Sequence, residues 1–177
     1  MAQRIIGLDI GAGSIKVLHL ERRGRSGDLE VAHYQERPVT TTTAVTTPQC
    51  VWNDGQMDAL RALQQDGAFS PGMVVVALSG SDVASQMLRF PFSDPKKIEA
   101  VLGNELEPNI PFDVDDLVLS WRPLAIGAAP GLTDVLVCFA QKTKVSTMLR
   151  QLGEVGIDPQ HLVVQGPAVA NLVPRGM

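Results

Sequence analysis

Short apolar runs alternate with clusters of glycine, proline and polar residues along the whole chain, so the pattern predicts many short elements. Residues 4–10 read Arg-Ile-Ile-Gly-Leu-Asp-Ile, a β-branched run that suits a buried strand. Gly11-Ala-Gly-Ser14 is a turn signal, and residues 15–21 resume as a second strand, which makes a hairpin. A polar, glycine-punctuated turn over 22–28 leads to a third strand over 29–36. The threonine-rich stretch 40–48 predicts an extended or irregular connection. Met57, Leu60 and Leu63 recur at a spacing of three and predict a short helix within 56–65. After the Pro71-Gly72 turn, residues 73–78 and 83–90 predict two more strands. Asp94 and Pro95 form a helix start, and Ile98, Val101, Leu102 and Leu106 mark its buried face before Pro108 ends it. Residues 117–124 and 133–140 predict strands joined by a Gly/Pro-rich loop over 126–131. Val145, Met148, Leu149 and Leu152 predict another amphipathic helix, with Gly156 as its stop. Residues 161–165 read as a last strand, and Gly166-Pro167-Ala168 begins a helix. There is no internal repeat.

A composition boundary near Pro71 divides this series. Before it lie a hairpin, a strand and a helix; after it lies a β-β-α-β-β-α-β series. The expected architecture is two subdomains of α+β or α/β character. The length of 177 residues allows one domain or two small ones, and suffices to bury a core. Apolar residues make up 45% and charged residues 19%, which argues against intrinsic disorder. A net charge of −4 argues against a free-standing nucleic-acid binder. The two cysteines, Cys50 and Cys138, exclude a disulfide framework and a four-cysteine zinc site, and are expected as free, buried thiols. Asp9 interrupts the first apolar stretch, which speaks against a signal peptide, and no window of about 18 apolar residues exists. The default expectation is the cytoplasm.

The chemistry concentrates in Asp9-Ile-Gly11-Ala-Gly13-Ser14-Ile-Lys16. A dinucleotide-binding fingerprint would need a third glycine where Lys16 stands and a helix after the turn, and a P-loop would need a different spacing. A third reading is a hairpin cradle for phosphate, in which successive amide N–H groups form an anion-binding nest. Gly11 and Gly13 would allow positive φ and close approach to a phosphate. Ser14 would add a hydroxyl, Lys16 would neutralise a terminal phosphate, and Asp9 would hold a magnesium ion through waters. An ordinary glycine hairpin is the competing reading. An aspartate on an otherwise apolar strand is costly unless paired or metal-bound, which favours the cradle.

Residues 6–17, Ile-Gly-Leu-Asp9-Ile-Gly11-Ala-Gly13-Ser-Ile-Lys16-Val, resemble the first phosphate loop of the actin, heat-shock chaperone and sugar-kinase superfamily. A second stretch narrows the resemblance. Glu105-Leu-Glu107-Pro-Asn-Ile110-Pro111-Phe112, followed by an acidic loop into a strand, is similar to the PilM family of type IV pilus assembly proteins and to its relative GspL in type II secretion. The strand–turn–strand of residues 75–91 and the helix-to-strand segment after Val145 are similar as well, while residues 22–60 match least.

The resemblance implies an α/β actin-like, RNase H-type subdomain with an inserted α+β subdomain of the FtsA/PilM type. It places the first subdomain at 1–71, the insertion at 72–160 and a return to the first at 161–177. It also implies that the second phosphate loop and the adenosine-binding segment lie beyond residue 177. Residues 172–176, Leu-Val-Pro-Arg-Gly, match a thrombin cleavage sequence as well as a native helix start. The implied function is a scaffold at the cytoplasmic face of the bacterial inner membrane, at most a weak ATPase. ATP and Mg would be held by Asp9, Gly11, Gly13, Ser14 and Lys16, with Asp9 on the metal. The implied partners are the cytoplasmic segment of a PilN-like inner-membrane protein, a GspE/PilB-like assembly ATPase, or a second copy, and not nucleic acid. The competing functions are an ATP-dependent sugar or acetate-type kinase and a relative that keeps the fold but binds no nucleotide.

Other residues carry less. Glu105, Glu107, Asp113, Asp115 and Asp116 read as a solvated helix end, or as a docking surface for a basic segment. Phe90, Phe92, Phe112 and Trp121 are expected in the core of the insertion. His19, His33 and His161 stand isolated in sequence and are expected to be structural or on the surface. Arg22, Arg23 and Arg25 read as a solvated turn tip, with contact to anionic lipid as the alternative.

Overall fold

A computed structural model describes residues 4–23, 28–40, 50–69, 71–124 and 131–170. The strands form where apolar residues alternate. In β1 (Arg4–Ile10) the buried positions are Ile6, Leu8 and Ile10. In β2 (Ser14–Arg23) they are Ile15, Val17 and His19. Strand β3 (Asp28–Pro38) follows, then helix α1 (Asp54–Gln65) and strand β4 (Met73–Leu78), which buries Val74, Val76 and Leu78. Strand β5 is Ala84–Phe90, α2 is Pro95–Leu106, β6 is Leu117–Pro123 and β7 is Thr133–Gln141. Helix α3 (Lys142–Glu154) follows β7 without a loop, and β8 (His161–Val164) and α4 (Gln165–Ala170) close the described chain. The expected connection at 40–48, except its first residue, most of the 126–131 loop, Arg25 and residues 172–176 lie outside the described residues.

The chain divides into two compact units. Met1–Gly80 with Ser146–Met177 makes the first, and Ser81–Val145 makes the second. The first is built on a five-stranded sheet in the order β3-β2-β1-β4-β8. Strands β1 and β2 pair antiparallel as the expected hairpin, whereas β1 with β4 and β4 with β8 run parallel. Register puts Leu8 opposite Val17 and Val76, so the buried residues of all three strands share one face. Met57, Leu60 and Leu63, the periodic residues of α1, are buried with them. A capping box starts that helix: Gln56 N donates to Asn53 Oδ1 at 2.9 Å, and Asn53 N donates to Gln56 Oε1 at 3.0 Å. Gly156 stops α3 as expected. It takes φ +74, and Ile157 N reaches back to the Leu152 carbonyl at 2.9 Å.

The second unit is a three-stranded antiparallel sheet in the order β5-β7-β6, with α2 packed against it. Asp94 caps α2 by accepting from Lys96 N at 2.9 Å, with Pro95 in the first turn. The core is Phe90, Ile98, Leu102, Leu106, Leu117, Val135, Val137 and Phe139, with Phe92 and Trp121 half-buried against it. Phe112 departs from expectation, because it is 41% exposed. Both cysteines are free, with Cys138 buried and Cys50 half-buried.

The unit boundaries differ from those at 72 and 160. Strand β4 extends the parallel pairing of β1, and its apolar residues complete the core face of that sheet, so it belongs with the first unit. The break at Pro71-Gly72 marks a turn into that sheet, and the passage to the second unit comes after Gly80.

The histidines are also less isolated than their sequence positions suggest. His19 is buried, and its ring meets that of His33 edge to face at 5.6 Å across β2 and β3. Burial pushes the His19 imidazole below its ordinary value of 6.5. Arg4 and His33 push the same way, while the Ala68 backbone and Glu21 oppose it. The unfolded chain therefore binds more protons than the folded one between the lowered value and 6.5. Stability is expected to be level above 6.5 and to fall as the pH drops through the folded value. Urea midpoints at about pH 7.5 and about pH 5.5 measure this, and His19→Leu is expected to remove most of the slope.

Candidate functional site

The glycine turn expected to act as a cradle lies at the end of the β1–β2 hairpin. Gly11 N donates to the Ser14 carbonyl at 3.0 Å and closes the turn. A Cβ on Gly11 would sit 2.8 Å from that same oxygen, a backbone atom, so any side chain there must open the turn. Neither Gly11 nor Gly13 takes positive φ, contrary to expectation. Gly11 is required by close approach, and Gly13 by nothing within 4 Å, which leaves the turn's outer side open. Two bonds hold the turn from behind: Val39 N donates to the Gly13 carbonyl at 2.9 Å, and Gln56 Nε2 donates to the Gly11 carbonyl at 3.0 Å.

Asp9 lies on the sheet face opposite the core. It stands beside Lys16 on β2 and Ala77 on β4, and Lys16 stands beside Glu36 on β3. Asp9 is half-buried and Lys16 is exposed. The burial argument for Asp9 therefore fails: only Ile6, Leu8 and Ile10 point to the core, and alternation sends Asp9 the other way. What singles Asp9 out is its place at the mouth of the turn, in a row of alternating charge. The structure brings Asp9, Gly11, Gly13, Ser14 and Lys16 together at one end of the sheet. Asp9 is the one carboxylate among them, and among the described residues no group of three or more His, Cys, Asp or Glu gathers to hold a metal ion. That set suits a magnesium ion that keeps its waters and takes its other ligands from phosphates.

Sequence reasoning missed Glu36, Tyr34 and Gln56. Ser14 Oγ donates to Glu36 Oε1 at 2.6 Å, and the Tyr34 hydroxyl donates to Glu36 Oε2 at 2.9 Å. These two bonds, with Ser14 first and Lys16 adding its charge, hold the Glu36 carboxyl below its ordinary range. Glu36 in turn raises the Tyr34 phenol. Alternation along β3 puts 34 and 36 on one face, but only the pairing register places Glu36 beside Lys16 and Tyr34 beside Leu18.

A second recess lies within the second unit. It has a volume of about 250 Å³, with Phe112 at its side and Leu117 and Phe139 among its walls. Lys144 Nζ and Asp82 Oδ1 pair at 2.6 Å beside it. The acidic residues Glu105, Glu107, Asp113, Asp115 and Asp116 are all exposed. Asp113 has a local task, since it accepts from Asp115 N at 2.9 Å and caps a short 3-10 turn.

Known proteins resemble this chain over nearly its whole length. A family model described as type IV pilus assembly protein PilM matches residues 7–173. A solved PilM–PilN type IV pilus biogenesis complex is similar over 95% of this chain and 51% of that one, at 25% identity and a TM-score of 0.67. The cytoplasmic domain of EpsL, an inner membrane component of the type II secretion system of Vibrio cholerae, is similar over 90% of this chain and 57% of that one. There the identity is 18% and the TM-score 0.56, a likeness of fold. The chain thus spans about half the length of each structure.

Proposed function

The chain belongs to the PilM family of type IV pilus assembly proteins, and from that premise we propose that it is a scaffold of a pilus assembly platform that binds Mg·ATP as a structural or switching ligand. Its fold is the actin-like, RNase H-type α/β fold with an inserted α+β unit. The observation that carries the nucleotide reading is the convergence of Asp9, Lys16 and Ser14 on the open side of the turn at Gly11 and Gly13. Lys16 would meet phosphate charge, the turn would approach phosphate oxygens closely, and Asp9 would orient waters of a bound magnesium ion. The nucleotide supplies the polyphosphate that these groups bind. Preferential binding to one conformation would then shift the population towards the form that docks a partner.

The partner we propose is the cytoplasmic segment of a PilN-like inner-membrane protein, which places the chain at the inner face of a bacterial inner membrane. Support comes from the similarity to a PilM–PilN complex. Among the described residues no helix is long and apolar enough to cross a membrane. The recess beside Phe112 is the docking surface to test, because a large aromatic ring with 41% exposure borders it. Phe112→Ala is expected to weaken binding of a PilN-like peptide by roughly tenfold or more. The same change should move stability by no more than about 0.5–1 kcal/mol, since the ring is largely outside the core. Calorimetric titration of the peptide with and without Mg·ATP, alongside an unfolding curve, checks both. Unchanged peptide affinity would remove the recess from the reading, and peptide binding indifferent to Mg·ATP would remove the switch. The same preparation reports self-association and any binding of a PilB-like assembly ATPase.

A further inference from the structure

The phosphate turn carries a built-in competitor for the anion it is shaped to bind. Ser14 has one hydroxyl proton to donate, and it donates it to Glu36 Oε1 at 2.6 Å. While that bond stands, Ser14 offers no proton to a phosphate oxygen. The second Glu36 oxygen is held by the Tyr34 hydroxyl at 2.9 Å, which keeps the carboxylate aimed at Ser14. Register then places Glu36 and Asp9 on either side of Lys16, so that row carries two negative charges and one positive.

Resting on the reading that the turn binds a nucleotide, we propose that Glu36 sets its specificity: Glu36 occupies the Ser14 donor and offsets Lys16, so the turn takes a polyphosphate only when a divalent cation has neutralised part of its charge. Metal-free ATP faces a net negative row and a hydroxyl already committed elsewhere. With magnesium bound, Asp9 becomes an attractive neighbour, and the gain from Lys16 and the amides outweighs the loss of the Ser14–Glu36 bond. Tyr34 is a positioning residue that acts through Glu36.

The test compares ATP binding with magnesium and with excess chelator, by calorimetry, in the full-length wild-type protein and in its Glu36→Gln variant. Glutamine keeps the shape and an acceptor for Tyr34 while removing the charge. Glu36→Gln is expected to raise the affinity for metal-free ATP roughly five- to tenfold and that for Mg·ATP much less, so the dependence on metal narrows. Glu36→Ala is expected to narrow it in the same direction, which guards against an effect peculiar to the amide. An unchanged ratio in both variants, with wild-type Mg·ATP binding intact, overturns the role of Glu36 alone. A wild type that binds ATP in neither form overturns this role together with the nucleotide reading.

A second readout needs no nucleotide. Tyr34 is the single tyrosine of the chain, so its phenol ionisation can be followed by ultraviolet absorbance. Glu36→Gln is expected to bring that ionisation down towards an ordinary tyrosine. An unshifted titration would show that the Tyr34–Glu36 contact does not form, and would overturn the proposal at its geometric root.

Discussion

Gln151→Leu is expected to destabilise the protein by about 3–5 kcal/mol, although leucine matches glutamine in size and is more apolar. Gln151 lies on α3 and is 3% exposed. Its Oε1 accepts from Val51 N at 2.7 Å and from Trp52 N at 3.2 Å, and its Nε2 donates to the Trp52 carbonyl at 2.9 Å. One side chain thus stands in for a strand neighbour and satisfies three backbone groups that have entered the interior. Removing it leaves those groups unpaired, at a cost of about 1–3 kcal/mol for each that is fully buried. The damage should reach further, because Trp52 precedes the Asn53 cap of α1 and Gln56 of that cap holds the Gly11 carbonyl. Urea unfolding checks the magnitude, and Trp52 emission reports the local change. Gln65→Leu serves as the control, since Gln65 is exposed at the end of α1; its effect should stay within about 0.5 kcal/mol. Equal midpoints for the two variants would show that the bridge contributes nothing.

Asp9→Asn is expected to lower Mg·ATP affinity by about thirtyfold and to leave the unfolding midpoint nearly unchanged. The affinity loss follows from replacing a charged acceptor by a neutral amide where hydrated magnesium would sit, a contact worth about 1.5–3 kcal/mol. The small effect on stability follows from position: Asp9 is half-buried on the face away from the core, and asparagine fits the same space. A variant that binds Mg·ATP like the wild type would remove Asp9 from the site. A large loss of stability would mean that the pairing with Lys16 holds the hairpin together, which the surface setting argues against. Lys16→Met is expected to weaken ATP binding as well.

Much of the local structure is legible in the sequence. Residues 4–10 and 15–21 alternate around a glycine turn, and they form the hairpin. Asp94 and Pro95 announced the start of α2, and Gly156 its counterpart at the end of α3. These signals are local: a cap, a turn or an alternating run acts through dihedral preferences and neighbours within a few residues. The family resemblance was legible for the same reason, because it rested on contiguous stretches such as Asp9 to Lys16 and Glu105 to Phe112.

What escaped was whatever depends on partners far apart in the chain. The Pro71-Gly72 turn reads alike whether the next strand joins the earlier sheet or starts a new one, and only pairing with β1 assigns β4 to the first unit. Phe112 is apolar in any sequence scale, yet it stands at the side of a recess instead of in the core. Gln151 and Glu36 carry no motif, and their partners lie 99 and 22 residues away. By itself the sequence determined most of the elements, several of their caps and stops, and the glycine turn between β1 and β2, because those follow from short-range sterics and alternation. The tertiary structure alone decided which side chains hold the turn from behind, and that a carboxylate on β3 accepts the Ser14 hydroxyl, because sheet order and register bring those groups together only after the chain has closed on itself.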